Sequence, residues 1–180
     1  MTTTTHEALT SLPAVELAAM IARGDISSVE AVEAHIERIE RVNPVLNAVV
    51  VKRYDTARAE AQEADRRRAR GEVSGPLHGV PITIKESLDM EGTPSTFGLQ
   101  SRANILASQD DLYVARMRGA GAIILGKTNV AQLLFYIESD NPVYGRTNNP
   151  WNRERSLVVV VVARPPSLLP EVRLWALVLI

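Results

Sequence analysis

Two short apolar runs constrain the fold more than any other feature. Val80–Ile84 lies in "GPLHGVPITIKES" and Ala122–Leu125 in "GAGAIILGKTN". Each is bounded by glycine, proline or polar residues, so each reads as a short buried strand that empties into a loop. Helical patterns surround them. "SLPAVELAAMIARGD" reads as a short helix with Ser11 at the N-cap, Pro13 in the first turn and Gly24 as the stop. In "ISSVEAVEAHIERIERVNP", Ser27 with Glu30 spells a capping box. Val29, Val32, Ile36, Ile39 and Val42 share one face at helical spacing, and Pro44 ends the segment. "NAVVV" at 47–51 has strand character, and "YDTARAEAQEADRRRARGE" is a polar, alanine-rich helix closed by Gly71. A helix capped around Asp110 precedes the second apolar run; "VAQLLFYI" after it reads as helical, and 138–156 as a long polar loop. Helices alternating with short apolar strands imply an α/β fold.

Composition excludes several functional classes. The chain has 180 residues, a formal net charge of −1 and no cysteine. Disulfides and thiolate metal sites are therefore ruled out. No basic field points to nucleic acid, and aromatic residues make up only 4%. Tyr144, Trp151 and Phe135 therefore read as packing residues and not as a base-stacking platform. A histidine metal site would need nearly all of His6, His35 and His78. The start, "MTTTTHEALTS", lacks a charged region followed by an apolar core, so the expectation is a cytoplasmic protein.

Chemistry-bearing residues are few. Lys85 ends the first apolar run, where lost solvation would lower its pKa and let it serve as a base. The ordinary alternative is a surface cation paired with the adjacent Glu86. His78, before a glycine, reads as a satisfied loop residue. "GAGAIILGKTN" lacks the spacing and element order of a phosphate-binding loop.

Three blocks in order, "GPLHGVPITIKE", "GAIILGKTN" and "SDNPVYGRTNNPWNRERS", resemble the amidase signature family. The resemblance runs from Leu9 to Ser156. It implies an α/β/α fold around a mixed sheet, incomplete in this chain, and a Ser–cis-Ser–Lys hydrolase of carboxylic amides. An amide-transferring relative is equally compatible. Lys85 matches the family's catalytic lysine. No cofactor and no metal are implied; the partner is a small-molecule amide, with neither nucleic acid nor membrane.

The sequence departs from that family after Ser156. The resemblance leads one to expect Pro, then Gly-Gly-Ser-Ser-Gly-Gly with the cis-serine, and later a second Gly-Gly-Ser carrying the nucleophile. "LVVVVVARPPSLLPEVRLWALVLI" stands there instead. Valine codons begin GT, so the codons one frame over can encode only Gly, Ser, Arg or Cys. They can therefore spell the missing loop, and the codons after them permit the alanine-rich helix. A single lost base in the proline codon, now read as Leu157, accounts for the join. The expectation is an N-terminal amidase portion over 1–156 and a frameshifted tail over 157–180, with both serines missing and amidase activity lost. Poor folding is expected as well, because sheet edges would lie uncovered and the valine run invites aggregation. A membrane span needs roughly 20 apolar residues, and Arg164-Pro165-Pro166 interrupts this one. A buried valine strand is the plainer alternative. The rival function is a non-catalytic interaction module that uses the N-terminal helices and the apolar tail.

Overall fold

The computed structural model describes residues 6–152. The expected tail, 157–180, lies outside the described residues. Five helices and three strands follow in the order α1 (His6–Leu9), α2 (Ala14–Arg23), α3 (Ser28–Leu46), β1 (Val49–Lys52), α4 (Tyr54–Ala69), β2 (Pro81–Lys85), α5 (Leu112–Gly119) and β3 (Ile123–Thr128). The sheet has the order β1-β3-β2; β3 pairs parallel with β2 and antiparallel with β1. This is the expected α/β fold with a mixed sheet.

Local chemistry explains most boundaries. Ser27 accepts the Glu30 amide while the Glu30 carboxylate takes the Ser27 amide, so the capping box starts α3. Gly24 closes α2 in the left-handed region at φ 78°. Three expectations shift at helix ends. Pro13, not Ser11, is the N-cap of α2, and its carbonyl accepts the Glu16 and Leu17 amides. Asp111, one residue beyond Asp110, caps α5 by accepting the Tyr113 amide. Pro44 does not end α3: the helix runs on to Leu46 and closes at Asn47, φ 52°, whose amide donates to the Asn43 carbonyl. Proline removes one helical N–H there, but near a C-terminus its neighbours still complete the turn. Asn43 then stitches helix to strand, its Oδ1 accepting the Ala48 and Val49 amides.

The core splits across the sheet with the two-residue period of a strand. Ile124 packs with Leu17, Ile21, Ile82, Ile84, Met90 and Val114. Its neighbours Ile123 and Leu125 face Val32, Ile36, Ile39 and the Ala57, Ala61, Ala64 stripe of α4. The apolar face expected on α3 is thus the one that seats α4. Small alanines let that polar helix lie close. Gly126 permits a still closer approach: a Cβ there would collide with the Val51 carbonyl of β1.

"VAQLLFYI" is not an α-helix. Only a 3₁₀ turn, Gln132–Leu134, forms, and Leu133 and Leu134 adopt φ 53° and 59°. Tertiary bonds override the local pattern: the Leu133 amide donates to the Phe97 carbonyl and the Gln132 amide to that of Asp140.

Candidate active site

Lys85 and Thr128 pair at the carboxyl ends of the parallel strands β2 and β3. Outer ends of parallel strands are where α/β sheets present their reactive groups. The β2 burial pattern ends there: Pro81 to Ile84 are buried, Lys85 is exposed and Glu86 is fully buried. The chain turns immediately, with the Leu88 amide donating to the Lys85 carbonyl at 3.0 Å.

Glu86 does not pair with Lys85. Its carboxylate accepts the Thr96 amide at 2.6 Å, the Phe97 amide at 3.2 Å and the Tyr144 hydroxyl at 3.2 Å. A buried carboxylate needs such donors to offset its lost hydration. The Glu86 amide donates to the Thr128 carbonyl at 2.9 Å, so the residue after Lys85 is fixed through backbone and side chain alike. Burial and the Glu86 charge push the Tyr144 phenol up to about 12, which keeps it a hydroxyl donor. The Lys85 ammonium has no hydrogen-bond or ion-pair partner among the described residues.

A second lysine escaped the sequence reading. Lys127 is fully buried in β3. Its ammonium donates to the Pro94 carbonyl at 2.5 Å and to the Ser95 hydroxyl at 2.8 Å, and it lies 3.5 Å from the Thr93 hydroxyl. Burial pushes it down to about 8, against the opposing pull of Glu86 and Asp89. Lys127 and Glu86 thus hold one loop, 93–97, from opposite charges. Phe97 adopts φ 52° within it, a conformation rare outside glycine and held here by these bonds. The Gly126-Lys127-Thr128 triplet sits inside a strand, which agrees with rejecting a phosphate-binding loop.

Two buried asparagines join the second and third blocks. Asn141 donates to Asn129 Oδ1 and to the Val130 carbonyl, both at 2.8 Å, and accepts the Val143 and Tyr144 amides. Asn129 donates to the Gly145 carbonyl and to Thr147 Oγ1. Thr147 Oγ1 donates to the Asn47 carbonyl, and the Asn129 amide donates to the Ala48 carbonyl. The polar loop is therefore fastened to the C-terminal ends of α3 and β3 and delivers Tyr144 to Glu86. Side-chain amides in loop-like sequence gave no separate signal.

His78 is a satisfied buried residue, as expected: Nδ1 faces the Ser74 amide at 3.1 Å and Nε2 the Ala64 carbonyl at 3.0 Å. Of the aromatics expected to pack, Phe135 and Trp151 are instead 86% and 95% exposed. Among the described residues no cluster of acidic or histidine side chains could hold a metal, and no helix is long and apolar enough to cross a membrane.

Known proteins fix the family. The chain is 46% identical over 155 residues to fatty-acid amide hydrolase 2-B of Danio rerio, covering 82% of this chain and 29% of that one. It is 48% identical over 139 residues to indoleacetamide hydrolase of Bradyrhizobium diazoefficiens, covering 77% and 26%. Among solved structures, a bacterial aryl acylamidase of the amidase signature enzymes superposes with a TM-score of 0.77 at 35% identity, covering 81% of this chain and 30% of that chain. The chain thus spans less than a third of the length of these relatives. The family model described as Amidase matches residues 30–158, which include β2, β3 and the asparagine network, and the chain belongs to the amidase signature family.

Proposed function

We propose that the parent enzyme hydrolyses a carboxylic amide C–N bond by a Ser–cis-Ser–Lys mechanism in which Lys85 is the base. The observation that carries this reading is the position of Lys85. It is the exposed end of an otherwise buried parallel strand, with its neighbour Glu86 locked by three donors. The Lys85 amine accepts the proton of one serine, which takes that of the nucleophilic serine. The nucleophile attacks the amide carbonyl carbon, backbone amides stabilise the oxyanion, and the C–N bond breaks as the nitrogen gains a proton. Water then releases the acyl group from serine. Exposure also leaves Lys85 accessible to that relay.

In this chain the relay has its base and lacks both serines, which we attribute to a frameshift at Leu157. The family match stops at residue 158, inside the first valines, which supports that position. The substrate is a small-molecule amide. Relatives bear names as different as fatty-acid amide hydrolase, indoleacetamide hydrolase and acylamidase, so the resemblance sets the bond and not the acyl group. The reaction calls on no cofactor, nucleic acid or membrane, and we place it in the cytoplasm.

Assays on simple aryl and alkyl amides test this. The 180-residue chain is expected to show no turnover. The gene with one base restored before the Leu157 codon is expected to gain hydrolysis, and Lys85→Ala to remove about 100- to 10,000-fold of it, the range of general-base catalysis. Hydrolysis by the 180-residue chain, or full activity in the Lys85→Ala frame-restored enzyme, overturns the assignment.

A further inference from the structure

Lys127 is a fully buried cation that the reaction proposed above does not use. Its ammonium faces three oxygens: the Pro94 carbonyl at 2.5 Å, the Ser95 hydroxyl at 2.8 Å and the Thr93 hydroxyl at 3.5 Å. An ammonium has three donors, so the charge is spent within the fold. Burying it is costly, and an apolar side chain would fill the same space without that cost. Burial indeed pushes its pKa down to about 8. The position therefore calls for a cation and not for bulk alone.

Two hydrogen-bond paths lead from that ammonium to Lys85. In the first, Ser95 Oγ accepts from Lys127 and donates to the Leu88 carbonyl at 3.1 Å, and the Leu88 amide donates to the Lys85 carbonyl at 3.0 Å. In the second, Lys127 grips the Pro94 carbonyl while the Glu86 carboxylate takes the Thr96 and Phe97 amides. The Glu86 amide then donates to the carbonyl of Thr128, the residue after Lys127, which closes a ring. Both paths end where Ile84 pairs with Lys127 and Lys85 with Thr128. The loop between the two charges needs these bonds, because Phe97 is held at φ 52°. With no partner for its own ammonium among the described residues, Lys85 is placed by its backbone. We propose that Lys127 is a positioning residue: its ammonium braces the 93–97 loop and, through it, holds Lys85 at the strand end in place for the serine relay. Its catalytic consequence rests on the reading of Lys85 as the base; the brace itself does not.

Amide hydrogen exchange on the 180-residue chain, read residue by residue by NMR, tests the brace. Lys127→Met keeps the length of the side chain and removes its donors. It is expected to speed exchange at Leu88, Thr96 and Phe97 by about tenfold or more, while Arg53, whose amide donates to the Leu125 carbonyl on the β1 side of β3, changes far less. Ser95→Ala breaks the first path and leaves the ammonium in place. It is expected to speed Leu88 more than Phe97, and it stands in if the methionine variant does not fold. The natural chain has no cysteine, so Lys127→Cys can be alkylated with 2-bromoethylamine in denaturant and refolded to put an ammonium back. Slow exchange is expected to return. In the frame-restored enzyme, Lys127→Met is expected to lower kcat by about tenfold or more with KM within about twofold of the parent. Exchange that rises equally at Arg53, exchange unchanged at Leu88, Thr96 and Phe97, or no recovery on alkylation overturns the brace. An unchanged kcat, or a loss that falls on KM, overturns the positioning role. A frame-restored enzyme that is inactive even with Lys127 intact counts against the Lys85 reading, and the exchange rates alone then decide the brace.

Discussion

At the scale of residues, the two lysines divide by environment. Lys85 is exposed at a strand end, whereas Lys127 is buried among oxygen acceptors of the 93–97 loop. Lys127 has the lower affinity for its proton in the folded state, about 8 against an ordinary 10.5. Between those values the unfolded chain binds a proton that the folded chain has lost, so stability rises with pH through that window. The gain is on the order of 3 kcal/mol. Lys127→Met is expected to flatten this rise in urea titrations between pH 7.5 and 10.5, performed at low protein concentration to limit aggregation. An unchanged slope would place the titration on another group. Lys85 was legible because it ends an apolar run and because its block resembles a family's. Lys127 was not, although it lies in a quoted block. Its acceptors come from residues some thirty positions away in sequence, and nothing local marks a buried ammonium.

Elements follow the same division between local and distant causes. α3 was readable because both of its signals lie within a turn or two: the Ser27–Glu30 box and the spacing of Val32, Ile36 and Ile39. The segment after β3 was misread because its leucines suit a helix while its backbone bonds go to Phe97 and Asp140. β3 shows why a glycine can matter inside a strand. Its Gly126 faces the Val51 carbonyl at a distance no side chain tolerates, next to the irregularity in the β1 pairing. Gly126→Ala is expected to destabilise the fold by about 1–3 kcal/mol, as overpacking does. A lower urea midpoint with an unchanged slope checks it; a wild-type midpoint would show that β1 shifts freely. The asparagine network was invisible in the sequence for a related reason. Asn129 and Asn141 read as loop residues, and only folding turns them into the clasp that carries Tyr144 to Glu86.

For the molecule as a whole, residues 6–152 carry a mixed three-stranded sheet with an apolar cluster on each face, and the fold class was legible from the alternation of helices and strands. The candidate site was half legible: Lys85 from the resemblance, the residues packed around it only from the structure. We propose that an amidase base survives in a chain whose reading frame slips at Leu157. The nucleotide sequence from the codon of Asn152 to that of Ile180 tests it most directly. The expected result is a proline codon one base short at Leu157, with the neighbouring frame encoding Gly-Gly-Ser-Ser-Gly-Gly and, further on, Gly-Gly-Ser. A neighbouring frame without those serine–glycine motifs overturns the frameshift.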